Sequence, residues 1–514
     1  MKRITTLFIV FLLLGSADFL SAQQRIIAKA SKSQLESIGI TKSEGAIPDW
    51  RVFSSTDTTV IERLKNAGIY SEVDYKAKLC SGISGMQWWL TGNNNLWNGN
   101  FSNAWNITTG SSKVKIGLID SGSPLKDGLW TNPGLDSSRF IVGPSFIDIT
   151  TQSYADSDWA NTDYEGHATH VAGIIASLPN DSVGIEGIDQ KCTIEIYKAF
   201  NIGGWGYYSS IANAIYRAVK DSCRVINMSF GGPYYSRMLE DAVKYAADNG
   251  VLSVVSAGND GAEVQSFPAF FNRFSTYENG GLPGIISVGS VNMNGNVSVF
   301  SDRGYFTDIY APGGTGVSWP ADSSDILSTW PTYFVSLDDT TNGKKMPMLY
   351  NYLAGTSMSA PMVTGTASLM LSVNPELNGS ELREIICATA DTLMTVDGPV
   401  PILDPEKAVE TAKTFNAVTT VNGYKNPPSE FKLKQNYPNP FNPTTTISFT
   451  TPKSERVRLE IYNTLGQKVS TLFDGASSGQ RQIVFNGSKL SSGIYFYSLE
   501  TNGTKIIKKM ILVK

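Results

Sequence analysis

Residues 224–256, RVINMSFGGPYYSRMLEDAVKYAADNGVLSVVS, carry the pattern that decides the fold. Residues 224–229 and 251–256 are short, apolar-leaning runs of the kind that form strands. Residues 236–249 lie between them, have apolar side chains at helical spacing, and stop at Gly250, a residue type that often ends a helix. The stretch therefore predicts a strand, a helix and a second strand, the repeating unit of a parallel sheet.

The same alternation continues towards the N-terminus. Residues 114–119 and 192–197 are apolar-leaning strands, and residues 209–222 contain a helical stripe of apolar side chains. Strands that lack polar alternation and are separated by helices indicate a parallel sheet that helices cover on both faces. The predicted fold class of this central part is α/β.

Composition excludes several classes of protein. Of the 514 residues, 41% are hydrophobic and 17% are charged, which supports a sizeable core and rules out a disordered, collagen-like or coiled-coil chain. The 42 Lys and Arg against 46 Asp and Glu give a net charge of −4, without a long block of like charge. Nucleic acid is therefore not an expected partner.

The N-terminus has the pattern of a secretory signal peptide. Lys2 and Arg3 precede an apolar run at residues 7–14 that is too short to span a bilayer, and small residues follow it. We assign residues 1–22 to this signal, with cleavage after Ala17 and cleavage after Ala22 both open, and expect a protein that is secreted or held at the cell surface. The four cysteines, Cys80, Cys192, Cys223 and Cys387, lack metal-ligand spacing, and both buried thiols and one disulfide remain open.

Two flanking regions differ from the central part in composition and in the pattern of apolar residues. Residues 23–85 mix apolar and charged side chains, and within them residues 63–73 predict a helix, a turn and a strand, so this region is a small α/β unit. Residues 415–430 form a linker without an apolar period. Residues 431–514 begin with a Pro/Asn-rich stretch and predict an all-β sandwich, with short strands at 447–450, 457–462, 482–485 and 494–499.

Three side chains at element ends are candidates for chemistry. Asp120 follows the strand at 114–119 and Asn259 follows the strand at 251–256, so both are expected at the carboxyl edge of the sheet. Ligands and catalytic groups gather at that edge in parallel sheets. Ser357 begins a helix of small residues and is either a nucleophile or simply an N-cap.

The two histidines of the chain, His167 and His170, lie three residues apart in HATHVAG. A zinc site is disfavoured because the Glu of a His-Glu-x-x-His motif is absent and spacing marks no third ligand. We expect His167 to be a general base and His170 to be a structural histidine. No metal ligand is predicted.

Six stretches together resemble the subtilisin family of serine proteases. They are IDSG from Ile119, HATHVAG from His167, VINMSFGGP from Val225, SAGN from Ser256, APG from Ala311 and GTSMSAP from Gly355. The order Asp, His, Ser is that of the subtilisins, whereas an α/β-hydrolase runs Ser, Asp, His. The resemblance covers roughly residues 94–412, and we assign residues 86–414 to a subtilisin-like peptidase domain.

The resemblance implies a serine endopeptidase that cleaves proteins or peptides by acyl transfer. Ser357 would be the nucleophile, His167 the general base and Asp120 the carboxylate that orients it. Asn259 would donate to the oxyanion. It implies no cofactor for catalysis. The alternatives are a catalytically silent adhesin or binding protein, against which the intact set of four residues argues, and an esterase, against which motif order argues.

Two features depart from the family pattern. Ala168 stands where Gly usually follows the catalytic His, and it is small enough to be tolerated. Residues 314–352 are more numerous than compact family members need and are rich in Trp, Tyr, Pro and Asp. We expect them to form a loop near the cleft.

The resemblance also implies a first specificity pocket. Its residues would be Ser229, Gly231, Gly232, Ser256, Gly258 and Ser266. None of them is charged, so the substrate residue before the scissile bond, P1, is expected to be apolar and medium to large. Glu263 is the acid that a shifted loop would aim into this pocket.

The flanking regions resemble parts of exported proteases. Residues 23–85 resemble an inhibitory pro-segment, so the chain's own pro-segment is an expected partner. Residues 431–514 resemble the sorting domain of the type IX secretion route, whose machinery is then another partner, and an adhesive or spacer domain is the alternative. Residues 178–188 resemble a loop that holds a structural Ca²⁺, although a plain turn fits equally well.

Overall fold

The structure is a computed structural model. It describes residues 24–45, 47–55, 57, 59–74, 76–79, 87–91, 101–147, 161–178, 185–276, 281–316, 324–333, 335–337, 349–415, 432–436, 439, 441–501 and 504–513. The predicted signal peptide, Cys80, nearly all of the linker and residues 179–184 of the predicted calcium loop lie outside these residues. The chain divides into two compact units, the first comprising Met1–Asn272 and Pro283–Lys413, and the second comprising Arg273–Leu282 and Thr414–Lys514.

The first unit begins with a small α/β part. Its elements are β1 (Gln24–Lys29), α1 (Lys32–Ser37), β2 (Glu44–Gly45), β3 (Trp50–Ser55), α2 (Val60–Asn66), β4 (Ser71–Val73) and β5 (Lys76–Leu79). Strands β2, β3, β1 and β4 form an antiparallel sheet in that order. Leu35 and Leu64 of the two helices are buried against Ile26 and Phe53 of the sheet. The predicted helix, turn and strand over residues 63–73 are therefore confirmed.

The remainder of the first unit is a helix-covered sheet. Its elements are α3 (Trp88–Thr91), α4 (Phe101–Ala104), β6 (Lys115–Asp120), β7 (Leu125–Lys126), β8 (Leu129–Trp130), β9 (Phe140–Ser145), α5 (His167–Ala176), β10 (Thr193–Lys198), β11 (Trp205–Tyr207), α6 (Tyr208–Lys220), β12 (Val225–Met228), β13 (Phe230–Gly231), α7 (Arg237–Asp248), β14 (Leu252–Ser256), β15 (Ile285–Val291), β16 (Ile309–Pro312), β17 (Ile326–Thr329), β18 (Tyr350–Leu353), α8 (Thr356–Val373), α9 (Gly379–Ala388), β19 (Asp391–Thr395), β20 (Gly398–Ile402) and α10 (Pro405–Thr414).

The central sheet confirms the predicted fold class. Its strands lie in the order β19, β20, β16, β15, β14, β12, β6, β10 and β9. All neighbouring pairs are parallel except β19 with β20. The strand, helix and strand predicted over residues 224–256 are β12, α7 and β14, with Ser236 as the N-cap of the helix.

Helix α8 lies at the centre of this unit and is buried along nearly its whole length. It contacts β12, β14, β15 and β16 on one side and α5 on another. Its small residues permit this crowding: a Cβ at Gly365 would lie 2.7 Å from the Ile188 side chain. The small-residue run that the sequence shows after Ser357 is thus a packing requirement of a helix surrounded by other elements.

The second unit contains only strands among its described elements. They are β21 (Lys432–Leu433), β22 (Thr444–Tyr462), β23 (Lys468–Asn486), β24 (Gly493–Glu500) and β25 (Lys505–Leu512). All pairings are antiparallel, and Ile447, Leu459 and Tyr497 belong to one buried apolar cluster. The all-β prediction is confirmed.

The prediction of short strands in the second unit was wrong in detail. Residues 447–450 and 457–462 are not separate strands but parts of the single strand β22, which stays paired with β23 through shifts in register. In the polar stretch between them the register shifts between Thr451 and Glu455, and pairing with β23 resumes at Glu455. Strand β25 was not predicted.

The described helices include none that is both long and apolar enough to cross a membrane.

The described cysteines, Cys192, Cys223 and Cys387, form no disulfide with one another. Cys192 and Cys223 are buried, which agrees with the alternative of buried thiols.

Candidate active site

The predicted catalytic side chains meet at the carboxyl edge of the central sheet. Asp120 is the last residue of β6, His167 is the first of α5, and Ser357 is the second of α8. All three are fully buried. The topology therefore gathers residues that lie far apart in the sequence.

The carboxylate of Asp120 fixes the ring of His167. The His167 Nδ1 lies 2.8 Å from Asp120 Oδ1 and 3.0 Å from Oδ2, so Nδ1 carries the hydrogen and donates it. The backbone N–H of Ser121 also donates to Oδ1, at 2.7 Å. The basic nitrogen of the ring is then Nε2, which has no hydrogen-bond partner among the described residues.

The charge around the ring favours its protonated form. Burial by itself lowers the pKa of His167, but the nearby carboxylates of Asp120, Glu165 and Asp163 outweigh that effect and raise the pKa above its usual value. Negative charge close to an imidazolium stabilises it. The ring is therefore suited to accept a proton during a reaction.

The hydroxyl of Ser357 is held in a reciprocal pair with Ser229. Ser357 Oγ donates to the Ser229 carbonyl oxygen at 2.8 Å, and Ser229 Oγ donates to the Ser357 carbonyl oxygen at 2.9 Å. In this position the hydroxyl does not bond His167. Hydrogen bonds between catalytic groups often tighten only when substrate is bound.

The amide of Asn259 is oriented by Thr356. Asn259 Oδ1 accepts the backbone N–H of Thr356 at 3.0 Å and its hydroxyl at 2.8 Å. The oxygen is engaged in this way, and Asn259 lines the cavity beside the site. The sequence analysis missed Thr356, and its signal was a hydroxyl residue immediately before the candidate nucleophile.

A cavity of about 830 Å³ opens beside these residues. Four of the predicted pocket residues, Gly231, Gly232, Gly258 and Ser266, line it. Ser229 and Ser256 are fully buried and lie behind its wall, where the Ser256 hydroxyl donates to the Phe230 carbonyl oxygen.

Three acidic residues lie near the pocket, and only one of them, Asp260, is among the described residues that line the cavity beside Gly258. The side chain of Glu263 packs against Gly304 and is not among the described residues that line the cavity. Asp260 does line it and is exposed. A buried carboxyl of Asp302 lies behind Gly258, where burial raises its pKa to about 6.

A charged cluster that the sequence analysis missed surrounds Asp120 and His167. Asp163 accepts hydrogen bonds from Ser121 Oγ at 2.7 Å and from the backbone N–H of Gly166 at 2.8 Å. Glu165 lines the cavity, and the buried Lys198 donates to the carbonyl oxygens of Ser121 and Thr162. The sequence signal that could have identified this cluster is the pair of acids two and four residues before His167.

His170 has the structural surroundings that were predicted for it. Its Nε2 lies 3.0 Å from the Ile326 carbonyl oxygen and 3.2 Å from that of Asn351. Burial, followed by the charge of His167, lowers the pKa of His170 to about 3, so the ring is neutral. These contacts tie α5 to the hairpin of β17 and β18.

That hairpin belongs to the long stretch at residues 314–352, which was expected to be a loop near the cleft. Its described residues form two antiparallel strands, and Ser336 and Leu337 line the cavity. Trp330 packs against Gly166, whose φ of 104° places the chain directly before His167 in the left-handed region. The stretch is thus partly regular structure that supports α5.

Strand β5 of the N-terminal part lies in the cleft. It pairs antiparallel with β11 on one side and with β13 on the other, with Lys78 opposite both Trp205 and Gly231. Leu79, its last residue, is opposite Phe230, the residue after Ser229. The strand therefore leads towards the Ser357 hydroxyl.

Two acids just before β5 cap helices of the central part. Glu72 accepts the Ser236 hydroxyl and the backbone N–H of Arg237 at 2.9 Å, at the start of α7. Asp74 accepts the hydroxyl and the backbone N–H of Ser209, the latter at 2.9 Å, in the first turn of α6. Helix N-termini present unpaired N–H groups that favour such anions.

The described residues contain no group of three or more His, Cys, Asp or Glu that could hold a metal ion. The predicted calcium loop is described only in part. In that part Gln87 hydrogen-bonds the backbone of Glu186 through both ends of its amide. The oxygen set that Ca²⁺ needs is not complete there, so the calcium site stays a prediction.

Comparison with known proteins decides the family. A model of the subtilase family matches residues 111–459. This chain belongs to the subtilase family. A second model, that of a secretion system C-terminal sorting domain, matches residues 435–514.

Known subtilases show the same relationship. The chain is 34% identical over 290 residues to a thermophilic serine proteinase of Bacillus sp. (strain AK1), covering 56% of this chain and 59% of that protein. It is 32% identical to subtilisin DY of Bacillus licheniformis and to thermitase of Thermoactinomyces vulgaris. These matches cover 55% and 56% of this chain and 85% of each relative.

A solved structure agrees with these relatives. A protease of Pseudoalteromonas arctica PAMC 21717 matches with a TM-score of 0.53 and 26% identity, covering 63% of this subtilase and 97% of that chain. The predictions of a subtilisin-like fold and of a serine endopeptidase are confirmed. The sorting domain indicates export by the type IX route, which confirms the expected secreted or cell-surface location.

Proposed function

We propose that this subtilase hydrolyses peptide bonds through Asp120, His167 and Ser357. His167 Nε2 takes the proton of Ser357 Oγ as that oxygen attacks the scissile carbonyl, and the proton then passes to the leaving amine. Asp120 holds the Nδ1–H tautomer and stabilises the imidazolium. Water attacks the resulting acyl-enzyme by the reverse route and regenerates the serine.

The observation that carries this proposal is the buried pair of Asp120 and His167 with a free Nε2. A binding protein that had lost catalysis would have no need to keep a desolvated carboxylate directed at one tautomer of the histidine. Labelling of the mature enzyme by a serine-directed fluorophosphonate, together with cleavage of casein that zinc chelators do not inhibit, is the direct test. Absence of both reactions would refute the proposal.

Asn259 and the backbone N–H of Ser357 supply the oxyanion site of this proposal. The Asn259→Ala variant is expected to lose about 10²–10³ in kcat with a small change in KM, since this donor acts on charge that develops in the transition state. The magnitude is that of the corresponding change in subtilisin. Steady-state kinetics on a chromogenic peptide measures it, and a loss confined to KM would assign Asn259 to ground-state binding instead.

In this proposal Gly231, Gly232, Gly258 and Ser266 form the P1 pocket. None of the four is charged, and Asp260, which lines the same cavity, is exposed. Desolvating a Lys or Arg head there would not be repaid, so we expect Leu, Phe, Tyr or Met at P1. A peptide-library profile of the mature enzyme measures this preference, and Glu263→Ala is expected to leave it unchanged. A profile dominated by Arg or Lys at P1 would contradict it.

The proposed domain organisation comprises a signal at residues 1–22, a pro-segment at 23–85, a peptidase domain at 86–414, a linker at 415–430 and a sorting domain at 431–514. The pro-segment would inhibit the enzyme because β5 occupies the position of a substrate strand between β11 and β13. Removal of this segment by a cut between about Lys76 and Gly99 would open the cleft.

The sorting domain is proposed to direct export without contributing to catalysis. Deleting residues 431–514 is expected to leave the protein inside the cell envelope, while the purified truncated enzyme cleaves casein. Immunoblots of medium and cell fractions measure the export. As a matched control, a reporter that carries residues 1–22 and 431–514 should reach the outside, and normal secretion of the truncation would refute the sorting role.

A further inference from the structure

The loop that carries Asn259 is folded around one buried carboxylate, that of Asp302. Asp302 is fully buried, and its Oδ1 accepts the backbone N–H of Asp260 at 2.9 Å and that of Ala262 at 3.3 Å. These donors are the first and third residues after Asn259 in the chain. The carboxylate therefore holds the loop immediately beyond the proposed oxyanion donor.

The backbone around Asp302 fixes the same loop from a second side. The N–H of Asp302 donates to the Gly258 carbonyl oxygen at 2.9 Å, and the N–H of Gly261 donates to the Phe300 carbonyl oxygen at 2.7 Å. Gly258 has a φ of 121°, and a Cβ there would lie 2.1 Å from Asp302 Oδ2. The carboxylate thus packs directly against the backbone that precedes Asn259, at a position that requires glycine.

The carboxylate has no counter-ion in this position. No Lys or Arg among the described residues forms an ion pair with Asp302, and its Oδ2 has no hydrogen-bond partner there. Burying a charge with so few partners costs free energy. A buried polar atom without a partner calls for an explanation, and the loop that Asp302 holds supplies one.

The position of Asn259 depends on this loop. Thr356 holds its side-chain oxygen, while its backbone lies between Gly258 and Asp260, both of which hydrogen-bond Asp302. An oxyanion donor acts at about 2.7–3.1 Å from the oxygen on which charge develops. A displacement of the loop would lengthen that distance and weaken the stabilisation of the transition state.

We propose that Asp302 is a positioning residue, which holds Asn259 at the place where the oxyanion forms. This inference rests on the proposed function, because it needs Asn259 as the oxyanion donor. The carboxylate bonds the loop and reaches the reaction only through Asn259. Hydrogen bonds from N–H groups to an ionised carboxylate are stronger than those between neutral groups, which suits a carboxylate to this role.

The test is a double-mutant cycle in the mature enzyme, with kcat counted per serine labelled by a fluorophosphonate. Asp302→Ala should lower kcat on a chromogenic peptide by at least about tenfold, with a small change in KM. In the Asn259→Ala background the same substitution should lower kcat by less than about twofold, because the donor that Asp302 positions is already absent. A merely structural role would lower kcat equally in both backgrounds.

The conditions and the control variants separate charge from geometry. The assays are run at about pH 8, where a carboxyl whose burial raises its pKa to about 6 is ionised. Asp302→Asn keeps an acceptor oxygen without the charge, so its kcat should fall by only about threefold, and this loss too should vanish in the Asn259→Ala background. Glu263→Gln removes a nearby acid whose side chain packs against Gly304, and it should leave kcat unchanged.

Three results would overturn the inference: losses that multiply in the double variant, a loss confined to KM, or full kcat in Asp302→Ala. If Asp302→Ala does not fold, the cycle with Asp302→Asn decides between the same outcomes. If Asn259→Ala keeps full kcat, or the unmodified enzyme does not cleave the peptide, the proposed function has failed and the inference with it. A loss in Asn259→Ala without coupling to Asp302 refutes only the positioning role.

Discussion

Replacement of Ser357 by Ala is expected to remove proteolysis almost completely while leaving the fold intact. Among the residues that the structure describes, the Ser357 hydroxyl hydrogen-bonds only the Ser229 carbonyl oxygen, and helix α8 is held by packing along its length. In subtilisin, loss of the nucleophile costs about 2 × 10⁶ in kcat. We expect a loss of the same order here.

Two measurements accompany that variant. Circular dichroism and thermal unfolding should match those of the unmodified chain, and the mass of secreted Ser357→Ala protein should show residues 23–85 still attached, because no active enzyme is present to cut them. Ser359→Ala is the matched control: this serine is on the same helix, but its hydroxyl donates to the carbonyl oxygens of Ala311 and Pro312. Comparable casein cleavage by Ser357→Ala would contradict the assignment.

The second large effect is expected for Asp120→Asn. An amide in place of the carboxylate no longer fixes the Nδ1–H tautomer of His167, and the corresponding change in a serine protease triad lowers kcat by about 10⁴. The wild-type enzyme should lose activity as the pH falls through the raised pKa of His167, because the neutral ring is the base. Without the Asp120 charge, this acid limb should move to lower pH.

A pH series of kcat/KM for both proteins measures the two effects together. Glu165→Gln also removes a negative charge near the ring but no hydrogen bond to it, so its loss of kcat should be far smaller than that of Asp120→Asn. If the two variants lost activity equally, charge alone would explain the effect and the orienting role would be wrong. Retention of kcat within a factor of ten in Asp120→Asn would contradict the triad itself.

The central sheet could be predicted from the sequence because its strands are buried on both faces. Continuous apolar runs such as residues 251–256 have few other structures available, and the helix between 236 and 249 has a stop at Gly250. In the second unit, by contrast, strand β22 continues through a polar stretch. Backbone pairing with β23 on both sides of that stretch makes it one strand, and the pattern of apolar side chains does not record backbone pairing.

Only some residues of the candidate site could be predicted from the sequence. Asp120, His167, Ser357 and Asn259 lie at element ends in motifs whose order is informative. Thr356 and Lys198 act through contacts between segments far apart in the chain, and local spacing carries no information about such contacts. Glu165 is different, because it contacts the backbone of His167 two residues away. Ser229 and Ser256 were predicted to line the pocket but do not. They belong to motifs that line it, and their own side chains face the core.

Burial of Cys192 and Cys223 lowers the reactivity of their thiols in an oxidising medium. Burial raises the pKa of the Cys223 thiol to about 12 and that of Cys192 well above its usual value, so neither forms the thiolate that reacts with oxidants. Oxidation and mixed-disulfide formation proceed through that thiolate. These two thiols can therefore remain reduced outside the cell, so the segments that carry them are held by packing instead of by a disulfide between them.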